Sequence, residues 1–345
     1  MDALTLNQIA ELTHSKIHGD PQKNITGVSD LKSAKRQHAS FVASQDFYKA
    51  MLQSEAGVIF APYNMKLPEG KDFLLNENPS RAFQTVAEHF QGLSCDRSSA
   101  FQGVHDTAVI HPSSIVEENV TIGPKAVIDR DCFIGAGTFI GAGCYIGLET
   151  RIGNDCLIHP NVTIREKTVI GNRVNLQPGV VIGGCGFGFQ TDAKGNHHKI
   201  SQIGIVVIED DVEIGSNTTV CRARFGETVI GQGTKIDTLV VIGHGVKLGP
   251  NNLIVGQAGI AGSSKTGRNV VLAGHVAVKE QVELADGVII TGKSGVSKSI
   301  TKAGPYGGIP AVPLKEHHRT NVHIRNLGKL FEEVKEIKLK LEKLI

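Results

Sequence analysis

The chain has 345 residues, with 40 Gly and no Trp, 40% apolar side chains, and a net charge of +2 from 36 Lys and Arg against 34 Asp and Glu. That composition excludes a disordered chain and, without a Gly-X-Y repeat, collagen; the balanced charge gives no global field that selects nucleic acid. No run approaches the roughly 18 apolar residues of a membrane helix, and the six Cys (Cys95, Cys132, Cys144, Cys156, Cys185, Cys221) show no CxxC or zinc-ligand spacing, so the chain reads as cytoplasmic with small buried thiols.

Residues 1–103 lack the period that organises the rest. Leu4, Leu6, Ile9, Ala10 and Leu12 predict an opening strand and helix, 57–62 and 72–78 predict strands, and 79–90 predicts a helix, which together make a small α+β domain. Gly92–Gly103, with Ser94, Ser98 and Ser99, reads as a linker. Three rings fall within eight residues at Phe41, Phe47 and Tyr48, around Ser44. In a chain so poor in aromatics, such a cluster is either a local core or a set of faces for a planar ligand.

From Ile110 an aliphatic residue recurs at every sixth position through Ile182, thirteen times in succession. The phase resumes at Ile208, Ile214 and Val220, then runs from Ile230 to Val296 with a fault at Thr266. Six is not a helical period; it fits a short strand plus a turn, with one inward side chain per strand, which is the hexapeptide signature of a parallel β-helix. Three strands make an 18-residue triangular coil, and about nine coils stacked at ~4.8 Å give a prism roughly 43 Å long over residues 104–310. Its narrow interior admits Ile, Val and Leu and accounts for the missing Trp. The two phase breaks, Gly186–Gly204 and Arg222–Glu227, are loops extruded from a rigid scaffold, where chemistry concentrates.

Residues 311–345 form a helical extension. Leu327, Leu330, Val334, Ile337, Leu341 and Leu344 recur at alternating spacings of three and four, an a/d stripe flanked by Glu and Lys. With a flat-faced solenoid before it, this stripe predicts a homotrimer.

Within its hexad Ile242 points inward, which puts His244 at a coil corner. His titrates near neutrality and can serve an amine nucleophile as general base; a solvated corner His is the alternative. Gly262 lies 18 residues on, stacked one coil away, where its bare N–H can face a developing oxyanion or merely serve a turn. Asp237 is either a support for His244 or an exposed corner carboxylate.

These parts together resemble the UDP-3-O-acylglucosamine N-acyltransferase family. The resemblance spans essentially the whole chain and is carried by Gly186-Phe187-Gly188-Phe189, His198–Gly204, Thr218-Thr219, Lys235-Ile236-Asp237, Ile242-Gly243-His244 and Tyr306–Pro310. It implies a mainly β fold, a left-handed parallel β-helix with a small N-terminal α+β domain and a C-terminal α-helix. It also implies transfer of a 3-hydroxyacyl chain from acyl carrier protein to the 2-amine of a UDP-3-O-acylglucosamine lipid precursor in lipid A synthesis. The donor would be the carrier's phosphopantetheine thioester, with no cofactor and no metal. His244 would be the base, Gly262 the oxyanion donor and Asp237 an auxiliary group. Phe187, Phe189, His198 and Gln281 would contact substrate, while Phe41, Ser44, Phe47 and Tyr48 would hold the uracil. The sequence departs from the family pattern at Ser44, Cys221, Thr238, Val241 and Gln281, which puts secondary substrate contacts at issue. A basic set near the exit, Lys298, Lys302, Lys315, His317, His318, Arg319 and Arg325, is a candidate surface for the acidic carrier. Other readings are an acetyltransferase acting on a UDP-amino sugar, a weakly active paralogue acting as a binding scaffold, and a β-helical zinc enzyme resembling γ-type carbonic anhydrases, which would need three converging His.

Overall fold

The computed structural model describes residues 3–91, 101–307 and 314–342. Two compact units are present, Met1–Ala100 and Phe101–Ile345. The linker reading at 92–100, Cys95, the 308–310 exit and Leu344 lie outside the described residues.

In the second unit a hexad is spent on a two-residue strand and a four-residue corner. Strands three hexads apart pair in parallel, as Val127↔Tyr145 and Ile128↔Ile146 do, and this builds three sheets of ten, ten and nine strands. The result is a three-faced parallel β-helix whose core is a continuous stack of Ile, Val and Leu from Val120 to Val296.

Each hexad buries two side chains rather than the single one expected. The second inward position stands two residues before the aliphatic one and takes small groups: Ala126, Cys132, Thr138, Cys144, Thr150 and Cys156 are all buried there. Burial pushes the thiols of Cys144 and Cys156 up to about 11, as befits inert core groups. The hydroxyls at this position are satisfied across coils. Thr138 Oγ1 donates to Gly153 O at 2.8 Å and accepts from Cys156 N–H at 3.1 Å. The fault at Thr266 is repaired in the same way: Asn252 Nδ2 donates to Thr266 Oγ1 at 2.5 Å, and Asn252 Oδ1 accepts from Val270 N–H at 2.6 Å.

Both insertions leave from one edge of the prism. The long one follows the strand Val181–Gly184 and the short one follows Thr219–Cys221, and these two strands are neighbours in one sheet. The next strands of that sheet are Val241–Ile242 and Gly259–Ile260, which deliver His244 and Gly262 to the same edge.

The first unit is a five-stranded sheet in the order Lys16–His18, Phe73–Leu75, Val58–Ala61, His38–Phe41, Gly27–Val28, with one antiparallel pair at the first edge. Helix α1 (Leu6–Thr13) opens on a reciprocal capping box between Thr5 and Gln8. With α3 (Pro79–Gln91) it supplies the first apolar cluster, around Leu6, Ile9, Phe60, Leu74 and Val86. A second cluster gathers Met51 from α2 (Tyr48–Gln53) with Val42, Ile59 and Phe73. At the C-terminal end, α4 spans Leu314–Glu342 and leaves Leu327, Leu330, Val334, Ile337 and Leu341 exposed along one stripe. No helix among the described residues is long and apolar enough to cross a membrane.

Candidate active site

His244 occupies the corner that follows Ile242, and its imidazole lies flat against the next coil. A Cβ at Gly262 would stand 2.6 Å from both Cε1 and Nε2 of His244, so only glycine leaves room for the ring. The backbone closes the contact, with Ser263 N–H donating to His244 O at 2.8 Å. At several corners on the other two edges the N–H two residues after the strand aliphatic is capped by a side chain, as Asp210 caps Asn172 at 2.8 Å. Gly262 N–H has no such acceptor among the described residues. A base nitrogen and an unclaimed N–H therefore lie side by side.

The two insertions wall this corner into an open cleft of about 600 Å³, lined by Phe187, Phe189, Ile200, Gln202, Arg224 and His244 among others. The wall is largely apolar. Phe187, 85% exposed, and Phe189 meet edge to face with centroids 5.0 Å apart, and Lys199 Nζ stands 5.0 Å from the Phe189 centroid.

Strand alternation decides which residues of the long insertion face the cleft. Phe189–Thr191 pairs antiparallel with His197–Lys199, and Thr191 lies opposite His197. Thr191 and His197 line the cleft, whereas His198 faces away and bonds Asp192 Oδ2 at 3.1 Å. Of the two, the structure therefore places His197 and not His198 on the cleft wall. That hydrogen bond, with those from Asn196, holds the Asp192 carboxyl at about 2 and ties the hairpin turn.

Asp237 lies apart from His244 within the chain. It follows Ile236, a strand of a different sheet, and therefore sits on another edge of the prism. Its Oδ1 accepts from Thr238 N–H at 2.7 Å and its Oδ2 from Gly256 N–H at 2.9 Å. Within one chain it is a corner cap and does not orient His244. Gln281 lies one coil beyond Gly262, exposed, with φ 58 and its N–H donating to Gly262 O at 3.0 Å. Of the other departures, Cys221 is half-buried with its thiol pushed up by burial, and Val241 is exposed.

Beneath the insertions lies an ion pair that sequence reading missed. Arg222 is buried; its Nε donates to Gly183 O at 2.8 Å and its Nη1 to Glu166 Oε1 at 2.8 Å. Burial opposes ionisation of Glu166, but hydrogen bonds from Arg165 and Arg222 outweigh it and hold the carboxyl at about 2. This node fastens the roots of both loops to the coils below. Its partners are 56 residues apart in sequence, so only the stacking register could have revealed it.

In the first unit Phe41 is half-buried against Phe83, with centroids 4.9 Å apart. Tyr48 packs into the second cluster, and Phe47 is exposed. Ser44 Oγ donates to Asp46 Oδ2 at 3.1 Å. Among the described residues no three His, Cys, Asp or Glu side chains converge as a metal set.

Comparison with known proteins agrees with this architecture. A family model described as UDP-3-O-(3-hydroxymyristoyl) glucosamine N-acyltransferase, LpxD, matches residues 22–89, and one for the bacterial transferase hexapeptide matches 149–184. The UDP-3-O-acylglucosamine N-acyltransferase of Protochlamydia amoebophila is 49% identical over 333 residues, 96% of this chain and 95% of that protein. The protein of that name from Chlamydia pneumoniae is 46% identical over 337 residues, 96% of this chain and 93% of its own. Among solved structures, an Arabidopsis UDP-N-acetylglucosamine acyltransferase superposes with a TM-score of 0.52 at 22% identity over 63% of this chain and 76% of that one, a likeness of fold. With relatives this similar over nearly its whole length, the chain belongs to the UDP-3-O-acylglucosamine N-acyltransferase family and is an acyltransferase.

Proposed function

We propose that the protein moves a 3-hydroxyacyl group from the phosphopantetheine thioester of acyl carrier protein to the 2-amine of UDP-3-O-(3-hydroxyacyl)glucosamine, a cytoplasmic step of lipid A synthesis. The observation that carries this reading is the His244 ring seated on Gly262 beside an uncapped N–H, in a cleft walled by Phe187, Phe189 and Ile200. The amine nitrogen attacks the thioester carbon. Gly262 N–H stabilises the oxyanion of the tetrahedral intermediate, and His244 takes the proton that the nitrogen sheds. Collapse forms the amide C–N bond and breaks the C–S bond. The proton held on His244 then passes to the departing thiolate, so both products leave neutral at the reacting atoms. No bound metal or other cofactor enters this sequence. Apolar rings beside the corner suit an acyl chain.

Uridine recognition falls to Phe41, Ser44, Phe47 and Tyr48, all within the segment that the family model matches. The exposed stripe on α4 supports association with further copies as a homotrimer, because five apolar side chains in a/d register are left uncovered among the described residues. Lys298, Lys302, Arg319 and Arg325 are the basic groups offered to the carrier; the side chains of Lys315, His317 and His318 lie outside the described residues.

The test is a purified His244→Ala variant with acyl-carrier thioester and UDP-3-O-acylglucosamine, followed by mass spectrometry of the product. Loss of a proton acceptor in the transition state lowers kcat by about 10²–10⁴-fold. Undiminished turnover would remove His244 from the reaction. An acetyl increment in place of a hydroxyacyl one would change the substrate assignment.

A further inference from the structure

Gln202 stands on the return limb of the long insertion, lines the cleft and is 8% exposed. Its Nε2 lies 3.4 Å from Ile200 O, a long hydrogen bond that sets which way the amide points. Its Oε1 is buried with no hydrogen-bond partner among the described residues. A buried carbonyl oxygen without a donor is unfavourable and calls for a partner supplied at some stage of the working cycle.

The glycines of the Gly186-Phe187-Gly188-Phe189 run are fitted around this amide. A Cβ at Gly188 would stand 2.8 Å from Gln202 Nε2. One at Gly186 would stand 3.1 Å from Gln202 Oε1, 2.7 Å from His244 Cβ and 3.1 Å from His244 Cγ. Gln202 Oε1 and the root of the imidazole thus border the same small gap, which the absent side chain of Gly186 keeps open. The far edge of the ring, Cε1 and Nε2, rests on Gly262. Nδ1, the nitrogen bonded to Cγ, belongs to the near edge.

We propose that Gln202 is the positioning residue of His244: its Oε1 accepts a hydrogen bond from Nδ1–H, which keeps the proton there and leaves Nε2 free as the base beside Gly262. The inference rests on the reading of His244 as base. An amide accepts without adding charge, and among the described residues no carboxylate lines the cleft to do the same work. The charged and titratable groups around His244 are Arg224 and His197 on the cleft wall, Lys199, whose Nζ donates to Gly186 O at 3.0 Å, and Arg222 at the preceding corner. The arrangement follows the logic of a base held in one tautomer by a third group, here a neutral one.

Full-length Gln202→Met and Gln202→Glu, alongside His244→Ala and the parent protein, test this by pH profiles of acyl transfer. Met keeps the bulk and loses the acceptor, so kcat falls about tenfold to a hundredfold with both KM values unchanged. Glu keeps an acceptor but charges it. Turnover then recovers towards the parent level, and the acidic limb of kcat/KM moves up by about one pH unit or more, because the imidazolium gains an anionic partner. A parent-like kcat in the Met variant, or an unmoved acidic limb in the Glu variant, overturns the proposal; should the Met variant not fold, the limb decides alone. An inactive His244→Ala with an unmoved limb in Gln202→Glu refutes only the positioning role. A fully active His244→Ala refutes the base and Gln202 with it.

Discussion

Corners of this prism come in two kinds, built on the same hexad. At capped corners the N–H two residues past the strand aliphatic is bound by a side chain from an adjacent coil. Asn154 is capped by Asn172, Asn172 by Asp210, Gln232 by Glu209, Gly256 by Asp237 and Arg268 by Asp286, all at 2.8–2.9 Å. At the edge that carries the insertions, the position preceding His244 is Gly243, which has no side chain to offer, and an imidazole covers Gly262 instead of a carboxylate. The reactive corner therefore belongs to the uncapped kind, with an imidazole where the capped corners have a side-chain oxygen. An absent cap leaves free a donor that the capped corners spend on stability, and two loops planted at the same edge shelter it.

The sharpest way to break this contrast is to put a side chain back. In Gly262→Ala the new Cβ would meet Cε1 and Nε2 of His244 at 2.6 Å, so the ring must swing off the corner. The ring is a flexible side chain at the mouth of a cleft, so the fold accommodates the move and turnover does not. An activity loss of about 10²–10³-fold, the scale on which an oxyanion donor matters, with thermal stability close to the parent, is the expected result. Parent-like turnover would place the reacting atoms elsewhere.

The second contrast concerns what holds the insertions down. Plain corners need only short caps, whereas the loop roots are pinned by buried Arg222 on Glu166 and Gly183. Arg222→Met removes the buried guanidinium and leaves Glu166 with only its more exposed partner Arg165, at a cost of about 1–2 kcal/mol. The pH dependence supplies an independent readout. The Glu166 carboxyl is held at about 2 in the fold against an ordinary 4.5, so its contribution is complete above about 4.5 and is lost as pH falls towards 2. Acid titration of unfolding should show this loss in full in the parent and only in part in Arg222→Met, where Arg165 still holds the carboxyl down. Parallel curves would mean that the pair is incidental.

How far these features were legible in the sequence follows from the same distinction. The six-residue series from Ile110 to Ile182 fixes strand, corner and stacking together, because each hexad repeats one physical problem with one solution. His244 over Gly262 was readable for that reason: an uninterrupted 18-residue coil separates them. The register is lost wherever an insertion intervenes. Thr219 pairs with Val181 on one side and with Val241 on the other, at unequal separations that no period discloses. Arg222 on Glu166, Gln202 beside His244, and the choice of His197 over His198 all lie beyond such a break. The second inward position was missed for a different reason. It accepts Ala, Cys, Thr and Val alike, so its constraint is size, which hydrophobic periodicity does not register. In the first unit, strands of two to four residues such as Gly27–Val28 are too short to show alternation.

The smallest expected effect separates the two kinds of corner most cleanly. Asp237 caps Gly256 and Thr238 in the ordinary way, on an edge without insertions. Asp237→Ala uncaps both N–H groups where water can partly replace the carboxylate, so the loss in stability is about 1 kcal/mol and turnover stays within about threefold of the parent. Thermal melts and kcat/KM measured on the same preparation decide the matter. If uncapping the plain corner costs stability while filling the reactive one costs catalysis, the two have divided one structural resource between fold and function. If instead Asp237→Ala loses tenfold or more in turnover with its melting temperature intact, the carboxylate reaches a reacting centre that its own chain does not place beside it, and the site is completed by a second copy.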